Sequence, residues 1–260
     1  MNASALPHEL INLKMNYLAA NLDDFIARAT KAKLGPREVI SEITRLEIQE
    51  RNARSTERRL REARLGRFKL MTEFDWAWPK YIDRESVERV MALDFISNDT
   101  NVVLAGPQGV AKTMIARNIA HNAVLQGHSA LVVTAAQLLM DLGQQESTRS
   151  LQTRLRAYVR PDVLVIDEVG YLSFDARASD LLFQVVSRRY EEGPIVLTTN
   201  LAFKEWPTIF PGSACVAAMI DRLTHHAEII AIDADSYRHR ESKERKAKIQ
   251  TSTKAKKEKS

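Results

Sequence analysis

The hydrophobic pattern divides the chain into a helical N-terminal part and a longer part in which short apolar runs alternate with helical segments. Residues 8–33 carry apolar side chains at helical spacing up to the break at Gly35-Pro36, and Pro36 begins a second helical pattern. Short apolar runs follow at 102–105, 130–134, 162–166 and 195–199. Such runs are typical of parallel strands that are buried on both faces. The pattern predicts an α/β protein with a small all-helical N-terminal domain.

The first apolar run leads directly into a phosphate-binding pattern. In the P-loop sequence G-x-x-x-x-G-K-[ST], backbone N–H groups cradle the phosphates, Lys reaches the β/γ oxygens and Ser or Thr binds Mg²⁺. Ala111 replaces the second glycine, and its methyl group is harmless if the backbone there stays near the right-handed helical region. The predicted nucleotide-binding residues are Gly106, Pro107, Gln108, Gly109, Val110, Ala111, Lys112 and Thr113.

The third apolar run ends in two carboxylates, Asp167 and Glu168, as expected of a Walker B strand. We expect Asp167, together with Thr113, to hold Mg²⁺ and Glu168 to polarise the attacking water. The strand at 130–134 comes between the two Walker segments. The strand at 195–199 is followed by Asn200, which is predicted to orient the same water; a turn-initiating Asn is the alternative.

The amino-acid composition indicates the compartment and the kinds of site that the protein can have. No apolar run is long enough to span a bilayer, and a single cysteine, Cys215, cannot form an internal disulfide, so a cytoplasmic protein without membrane partners is expected. On one helix the adjacent His225 and His226 would point about 100° apart, which predicts a structural role rather than a metal site. The aromatic cluster at 74–78 either anchors a domain junction or flanks an adenine ring.

Charge is distributed unevenly along the chain. Residues 28–69 contain thirteen Lys/Arg against six Asp/Glu, residues 70–237 have a net charge of −7, and residues 238–260 have a net charge of +7. Basic segments of this kind are typical of DNA contact, although a solvated helix face paired through its own glutamates and a disordered tail are the alternatives. The candidate DNA-binding residues are Arg51, Arg54, Arg58, Arg59, Arg61 and Arg64.

Six segments occur in an order that resembles the IstB family of transposition-associated AAA+ ATPases, and more distantly the helicase loader DnaC. They are GPQGVAKT, VLVIDEVGYL, LTTN, EWPTIF, IDRLTHHAEII and DSYR. The resemblance implies a helical N-terminal domain at 1–70 for DNA binding and oligomerisation, an AAA+ domain at 71–240, and a basic tail at 241–260. It also implies a catalytic set of Lys112, Glu168, Asn200 as sensor 1, Arg222 as an arginine finger acting on a neighbouring subunit, and Arg238 as sensor 2.

The activity that the resemblance implies is Mg²⁺-dependent ATP hydrolysis by an oligomer, a ring or a helix, that assembles on duplex DNA and recruits a partner transposase. A helicase loader that prefers single strands is the first alternative. A DNA-binding scaffold whose P-loop has lost hydrolysis through Ala111 is an alternative of another class.

Overall fold

The computed structural model describes residues 5–171, 174–210 and 214–237. The chain divides into two compact units between Arg59 and Leu60. The physical reason is burial, because Ala63 and Leu65 are part of the hydrophobic core of the second unit. Arg238 and the basic tail at 241–260 lie outside the described residues.

Four helices form the first unit, and the predicted single helix over 8–33 is wrong. Its helices are α1 (Leu6–Asn12), α2 (Asn16–Ala20), α3 (Leu22–Lys31) and α4 (Pro36–Glu62), of which α4 extends to Glu62 in the second unit. Lys14 interrupts the predicted helix with a φ of 60°, and the backbone bonds from Lys14 N to Ile11 O and from Met15 N to Leu10 O close a Schellman-type end. The breaks let Leu10, Leu18 and Phe25 share one small core.

The second unit is a six-stranded sheet with helices on both faces. Its elements in chain order are β1 (Tyr81–Ile82), α5 (Arg84–Ala92), α6 (Asp94–Ser97), β2 (Asn101–Ala105), α7 (Lys112–Leu125), β3 (Ala130–Thr134), α8 (Ala135–Gly143), α9 (Thr148–Val159), β4 (Val163–Val169), α10 (Ala176–Arg189), β5 (Ile195–Thr199), α11 (Trp206–Ile209), α12 (Val216–His225) and β6 (Ala227–Asp233). Neighbouring strands are parallel except β1 and β6. This confirms the predicted α/β fold.

Strand order in the sheet is β1-β6-β2-β5-β4-β3. One strand therefore separates the P-loop strand β2 from the Walker B strand β4, and that strand is β5. The strand at 130–134, which comes between the two Walker segments along the chain, is β3 at the edge of the sheet. The order of strands along the chain does not predict their order in the sheet, because the crossover between two parallel strands can pass over one or more other strands.

The almost wholly apolar sequence of β4 follows from helices on both of its faces. Val163 and Val165 belong to the core cluster that includes α5 and α7, while Leu164 and Ile166 belong to the cluster that includes α8, α9, α10 and α12. Within the described ranges, no helix has both the length and the apolar character that a bilayer crossing requires.

Candidate nucleotide-binding site

The P-loop connects the end of β2 to the start of α7 and is shaped by two glycines. A Cβ atom at Gly106 would lie 2.1 Å from the carbonyl oxygen of Ile232, and one at Gly109 would lie 2.4 Å from Ser236 Oγ. Gly109 also has a φ of 80°, in the left-handed region that favours glycine. The loop is thus packed against the end of β6 and the chain that follows it, and a side chain at either position would clash.

Ala111 adopts a left-handed conformation, with φ 69° and ψ 12°, at the N-cap of α7. The condition under which the methyl group would be harmless, a right-handed backbone, is therefore not met. The P-loop must turn its last peptide into the first turn of α7, and this geometry imposes the positive φ on whichever residue stands there. Alanine pays about 1 kcal/mol for that conformation, which glycine would not.

Lys112 and Thr113 open α7 and point their polar atoms at the site. The Nζ atom of Lys112 donates to the carbonyl oxygens of Gly106 and Pro107, at 2.7 and 2.6 Å, although the side chain is almost fully buried. Thr113 Oγ1 donates to Asp167 Oδ1 at 2.9 Å. An ammonium group held inside the loop and a hydroxyl beside a carboxylate fit the phosphates and the Mg²⁺ of a nucleotide, because Mg²⁺ prefers hard oxygen ligands.

Thr198 on β5 completes this network, and sequence reasoning missed it. Its Oγ1 donates to Asp167 Oδ1 at 2.6 Å and accepts a hydrogen bond from Glu168 N at 2.9 Å. Thr198 is almost fully buried, as is Asp167. One hydroxyl therefore fixes both members of the Walker B pair. The signal in the sequence was a polar residue inside an apolar strand that neighbours β4.

Glu168 lies where the pairing of β4 with β5 is irregular. The register shifts between Ile166 and Val169, and Glu168 has a φ of 65°. A bulge of this kind turns a side chain out of the regular alternation of the strand. The hydrogen bond from its N–H to Thr198 Oγ1 holds the backbone of Glu168 at this bulge.

Asn200 follows β5 directly, at the same edge of the sheet as Glu168. Val169 and Thr199 are register partners, so the two functional candidates flank a paired position on neighbouring strands. The Oδ1 atom of Asn200 is shielded from solvent and has no hydrogen-bond partner among the described residues. A buried acceptor of this kind costs free energy unless a ligand or water satisfies it, which fits a residue that orients water.

A cavity of about 330 Å³ lies beside the P-loop. Its lining includes residues 109–114 together with Phe68, Lys69, Tyr171 and Tyr237. The N–H of Tyr237 donates to the carbonyl oxygen of Gly109 at 3.0 Å, and the Tyr237 ring meets Trp78 edge to face with centroids 5.1 Å apart. In the aromatic cluster, Trp78 therefore supports a wall of this cavity.

Arg222 lies on α12 and contacts α10. Its Nη1 atom donates to Ser187 Oγ, and its guanidinium group lies over the Phe183 ring, 4.7 Å from the centroid. Neither partner belongs to the P-loop, β4 or β5. Within one chain the structure thus brings together Lys112, Thr113, Asp167 and Glu168, with Asn200 on the adjoining strand end, and holds Arg222 against a different helix.

The candidate DNA-binding arginines differ in their surroundings. Arg54 Nε pairs with Glu50 at 2.6 Å, Arg51 donates to the carbonyl oxygen of Lys14, and Arg59 donates to Ser55 and Thr56. Arg58, Arg61 and Arg64 are exposed and make no hydrogen bond or ion pair with the part of the chain that the structure describes. Among these six arginines, only Arg54 forms the ion pair with a glutamate of its own helix that the alternative interpretation expects, as far as the described residues show.

The separation of β2 from β4 by β5, the P-loop and the acidic pair at the end of β4 define an ATP-binding P-loop protein of the AAA+ type. The chain belongs to the family of IstB-like ATP-binding proteins, whose model matches residues 8–245. This confirms the resemblance that the six motifs indicated.

Relatives of the chain come from bacterial insertion sequences. The ATP-binding protein of insertion sequence IS5376 from Geobacillus stearothermophilus is 36% identical over 206 residues, which cover 79% of this chain and 82% of that protein. The ATP-binding protein of IS21 from Pseudomonas aeruginosa is 34% identical over 242 residues, covering 93% and 91%. Among solved structures, DnaI has the same fold with a TM-score of 0.52 at 20% identity, over 64% of this chain and 89% of that one.

Proposed function

We propose that this protein is a Mg²⁺-dependent ATPase that assembles as an oligomer on duplex DNA and recruits and stimulates a partner transposase. The observation that carries the proposal is the shared network of Thr113, Asp167, Thr198 and Glu168. Asp167, the Mg²⁺-binding carboxylate, accepts hydrogen bonds from Thr113 of the P-loop and from the buried hydroxyl of Thr198. The same hydroxyl accepts a hydrogen bond from the N–H of Glu168, the general base. A protein that only bound nucleotide would have no need to orient Glu168.

Each residue of the network has a task in phosphoryl transfer. Thr113 and Asp167 would hold Mg²⁺, which would neutralise the charge that develops on the phosphates during transfer. Lys112 exchanges its carbonyl partners in the loop for phosphate oxygens, and Thr113 and Asp167 offer the oxygen ligands for the cation. Glu168 accepts hydrogen bonds from the attacking water, and Asn200 Oδ1 provides a second acceptor that holds this water in line.

The position of Arg222 supports the proposed oligomer. The resemblance implies that this residue acts on the nucleotide of a neighbouring subunit, and its contacts with Ser187 and Phe183 keep it on the surface formed by α10 and α12. An arginine supplied in trans raises the rate of phosphoryl transfer by a large factor, about 10³ or more in characterised cases. Hydrolysis is then possible only in the assembled oligomer.

Exposed, unpaired arginines support the DNA-binding part of the proposal. Arg58, Arg61 and Arg64 have no internal partner among the described residues, and guanidinium groups bind phosphates with fork-like geometry. The insertion-sequence relatives favour a transposase over a replicative helicase as the partner. The scaffold alternative loses support, because Ala111 already adopts the backbone conformation that a P-loop requires.

Replacement of Glu168 with Gln tests the proposal. The amide cannot accept a proton, so we expect ATP binding to persist, hydrolysis to fall by at least about 100-fold, and ATP-bound assemblies to remain on duplex DNA. Glu192→Gln, which removes an exposed carboxylate just after α10, is the matched control and should behave as the unaltered protein. Normal hydrolysis by Glu168→Gln would remove Glu168 from the mechanism. A preference of the trapped complex for single strands would favour the helicase-loader alternative.

A further inference from the structure

Three potential metal ligands meet beyond the C-terminal ends of α10 and α12. One ligand atom each from Glu191, His225 and His226 lies within 4.8 Å of the others. Glu191 follows α10, His225 is the last residue of α12 and His226 follows it, so segments distant in sequence supply the set. Over the described ranges, this is the one group of three His, Cys, Asp or Glu side chains that could hold a metal ion.

The histidine pair meets because α12 ends between its members. His225 is the last helical residue, and His226 leaves the helix with φ −125° and ψ 85°. The 100° divergence expected for neighbours on one helix therefore does not apply, and the ring centroids lie only 4.0 Å apart. Glu191 is placed by a φ of 58° directly after α10. The premise that both histidines lie on one helix is therefore wrong.

Tyr190 forms a hydrogen bond with the ring of His225 in this cluster. Its hydroxyl lies 2.8 Å from Nδ1 of His225, and the two rings are 5.9 Å apart between centroids. When Nδ1 donates its proton to that hydroxyl, Nε2 of the same ring keeps a lone pair for a cation. Metal-binding histidines generally have their other ring nitrogen hydrogen-bonded in this way, which fixes the tautomer and the ring orientation.

We propose that Glu191, His225 and His226 bind a divalent transition-metal cation of the zinc class. Two imidazoles and one carboxylate form a donor set that suits Zn²⁺, with water in the fourth position. Ligand atoms around a tetrahedral zinc ion are about 3.4 Å apart, given bonds of about 2.0–2.1 Å. The three side chains are exposed and their ligand atoms already lie within 4.8 Å of one another, so side-chain rotation has to close at most about 1.4 Å to reach that separation.

A cation at this site joins the ends of the two helices between which Arg222 is held. Arg222 is on α12, four residues before His226. Its partners Ser187 and Phe183 are on α10, which ends shortly before Glu191. The bound ion thus restricts how far the two helix ends separate and, with them, the freedom of the Arg222 side chain. This consequence rests on the proposed function of Arg222, whereas binding of the cation does not.

Titration of the full-length protein, without a histidine tag, with zinc chloride in a calorimeter tests the site in the absence of nucleotide. We expect the double variant His225→Gln/His226→Gln to bind one zinc ion fewer than the unaltered protein. The matched control His121→Gln/His128→Gln removes two histidines elsewhere and should keep the site. Glu191→Gln, a single exposed change, should weaken zinc binding by about 10-fold or more. Cobalt(II) absorption should report a four-coordinate ion in the control and in Cys215→Ser, but not in the double variant.

Equal zinc stoichiometry and affinity in the unaltered protein and in the double variant would overturn the proposal. Loss of zinc binding in the histidine control, but not in the double variant, would place the ion at another site and overturn it equally. Thermal unfolding without metal shows whether each variant is folded. ATP hydrolysis is not among the readouts, so a failure of the ATPase proposal leaves this test unaffected.

Discussion

Ala111 shows how one backbone angle decides what a substitution does. Its φ of 69° requires a left-handed conformation that costs an alanine about 1–2 kcal/mol more than a glycine. The P-loop consensus has glycine at this position, and the chain tolerates alanine because the rest of the loop is held by Gly106 and Gly109. We therefore expect the departure from the consensus to lower the stability of the protein.

We predict that Ala111→Gly stabilises the protein by about 0.5–1 kcal/mol, because relief of the left-handed strain exceeds the added entropy of the unfolded chain. Urea unfolding measures the difference. Ala157→Gly, at an exposed position inside α9, is the control and should destabilise by about 1 kcal/mol. A destabilising effect of both changes would contradict the strain at Ala111. Hydrolysis that begins only in Ala111→Gly would revive the scaffold alternative.

The hydroxyl of Thr198 is predicted to support catalysis through its hydrogen bonds to Asp167 and Glu168. Thr198→Val keeps the shape of the side chain but removes the hydroxyl that binds Asp167 and Glu168, so we expect kcat for ATP hydrolysis to fall by about 10- to 100-fold with little change in nucleotide affinity. The Mg²⁺ concentration needed for half-maximal activity should rise, and Thr198→Ser should restore most of the activity.

Thr199→Val provides the control for Thr198. This neighbouring hydroxyl is equally buried, but it bonds to the backbone of Leu201 and not to the Walker B pair. Both valine variants should lose similar stability, and only Thr198→Val should change kcat and the Mg²⁺ requirement. Equal kinetics in the two variants would reduce Thr198 to a packing residue.

At these positions the sequence predicts identity better than conformation. Lys112, Thr113 and Asp167 are recognisable because their spacing to a buried strand is local. The angle at Ala111 depends on how the loop closes onto α7, and the role of Thr198 depends on the register between β4 and β5. Both are consequences of pairing between segments that are distant in the chain, which no local pattern encodes.

At the scale of elements, Arg189 holds together the chain around the ends of α9 and α10. Its guanidinium group donates to the carbonyl oxygens of Tyr158, Val159, Pro161, Asp162 and Pro194, at 2.7–3.3 Å. Burial lowers the pKa of Arg189 to about 10, so the group remains charged at neutral pH. It satisfies the last carbonyls of α9 and positions the entries into β4 and β5.

We predict that Arg189→Met destabilises the protein by about 3 kcal/mol or more, because the methionine leaves several buried carbonyls without donors. Chemical denaturation should show the loss. Arg188→Met is the matched control, since Arg188 is half-buried and donates to Gln152 alone; its expected cost is below about 1.5 kcal/mol. Similar losses in both variants would mean that the carbonyl cluster does not depend on Arg189.

Elements were predicted unequally well. The strands at 130–134 and 195–199 agree with the sequence pattern, because short apolar runs mark them locally. The division of residues 8–33 into α1, α2 and α3 was not predicted, since Lys14 ends α1 in a conformation usually reserved for glycine. Strand order was not predicted either, because it is a property of the whole sheet.

In the whole molecule, the proposed oligomer has ATP-hydrolysing sites that are completed by Arg222 of a neighbouring subunit. Arg222→Ala should abolish hydrolysis by removing the arginine finger from the neighbouring site, and Glu168→Gln should abolish it by removing the base. We predict that mixing the two inactive variants restores activity, because about a quarter of the interfaces in a random oligomer combine an intact Glu168 with an intact Arg222.

A coupled ATPase assay of the mixture, over a range of ratios, checks this prediction. Activity should be greatest near equal amounts and absent for each variant alone. No recovery at any ratio, in oligomers that are shown to exchange subunits, would mean that Arg222 acts on the nucleotide of its own chain. The position of Arg222 against Ser187 and Phe183 would then have to change on nucleotide binding.

If ATP gates the proposed assembly on duplex DNA, sedimentation velocity on a labelled long duplex will show it. The measurement compares ATP with ADP at near-physiological salt, where phosphate contacts by the basic residues at 28–69 are already weakened. We predict a large, fast-sedimenting complex with ATP and little complex with ADP. Equal binding in both nucleotides would contradict the account, because the basic segments would then bind DNA without help from the ATP site.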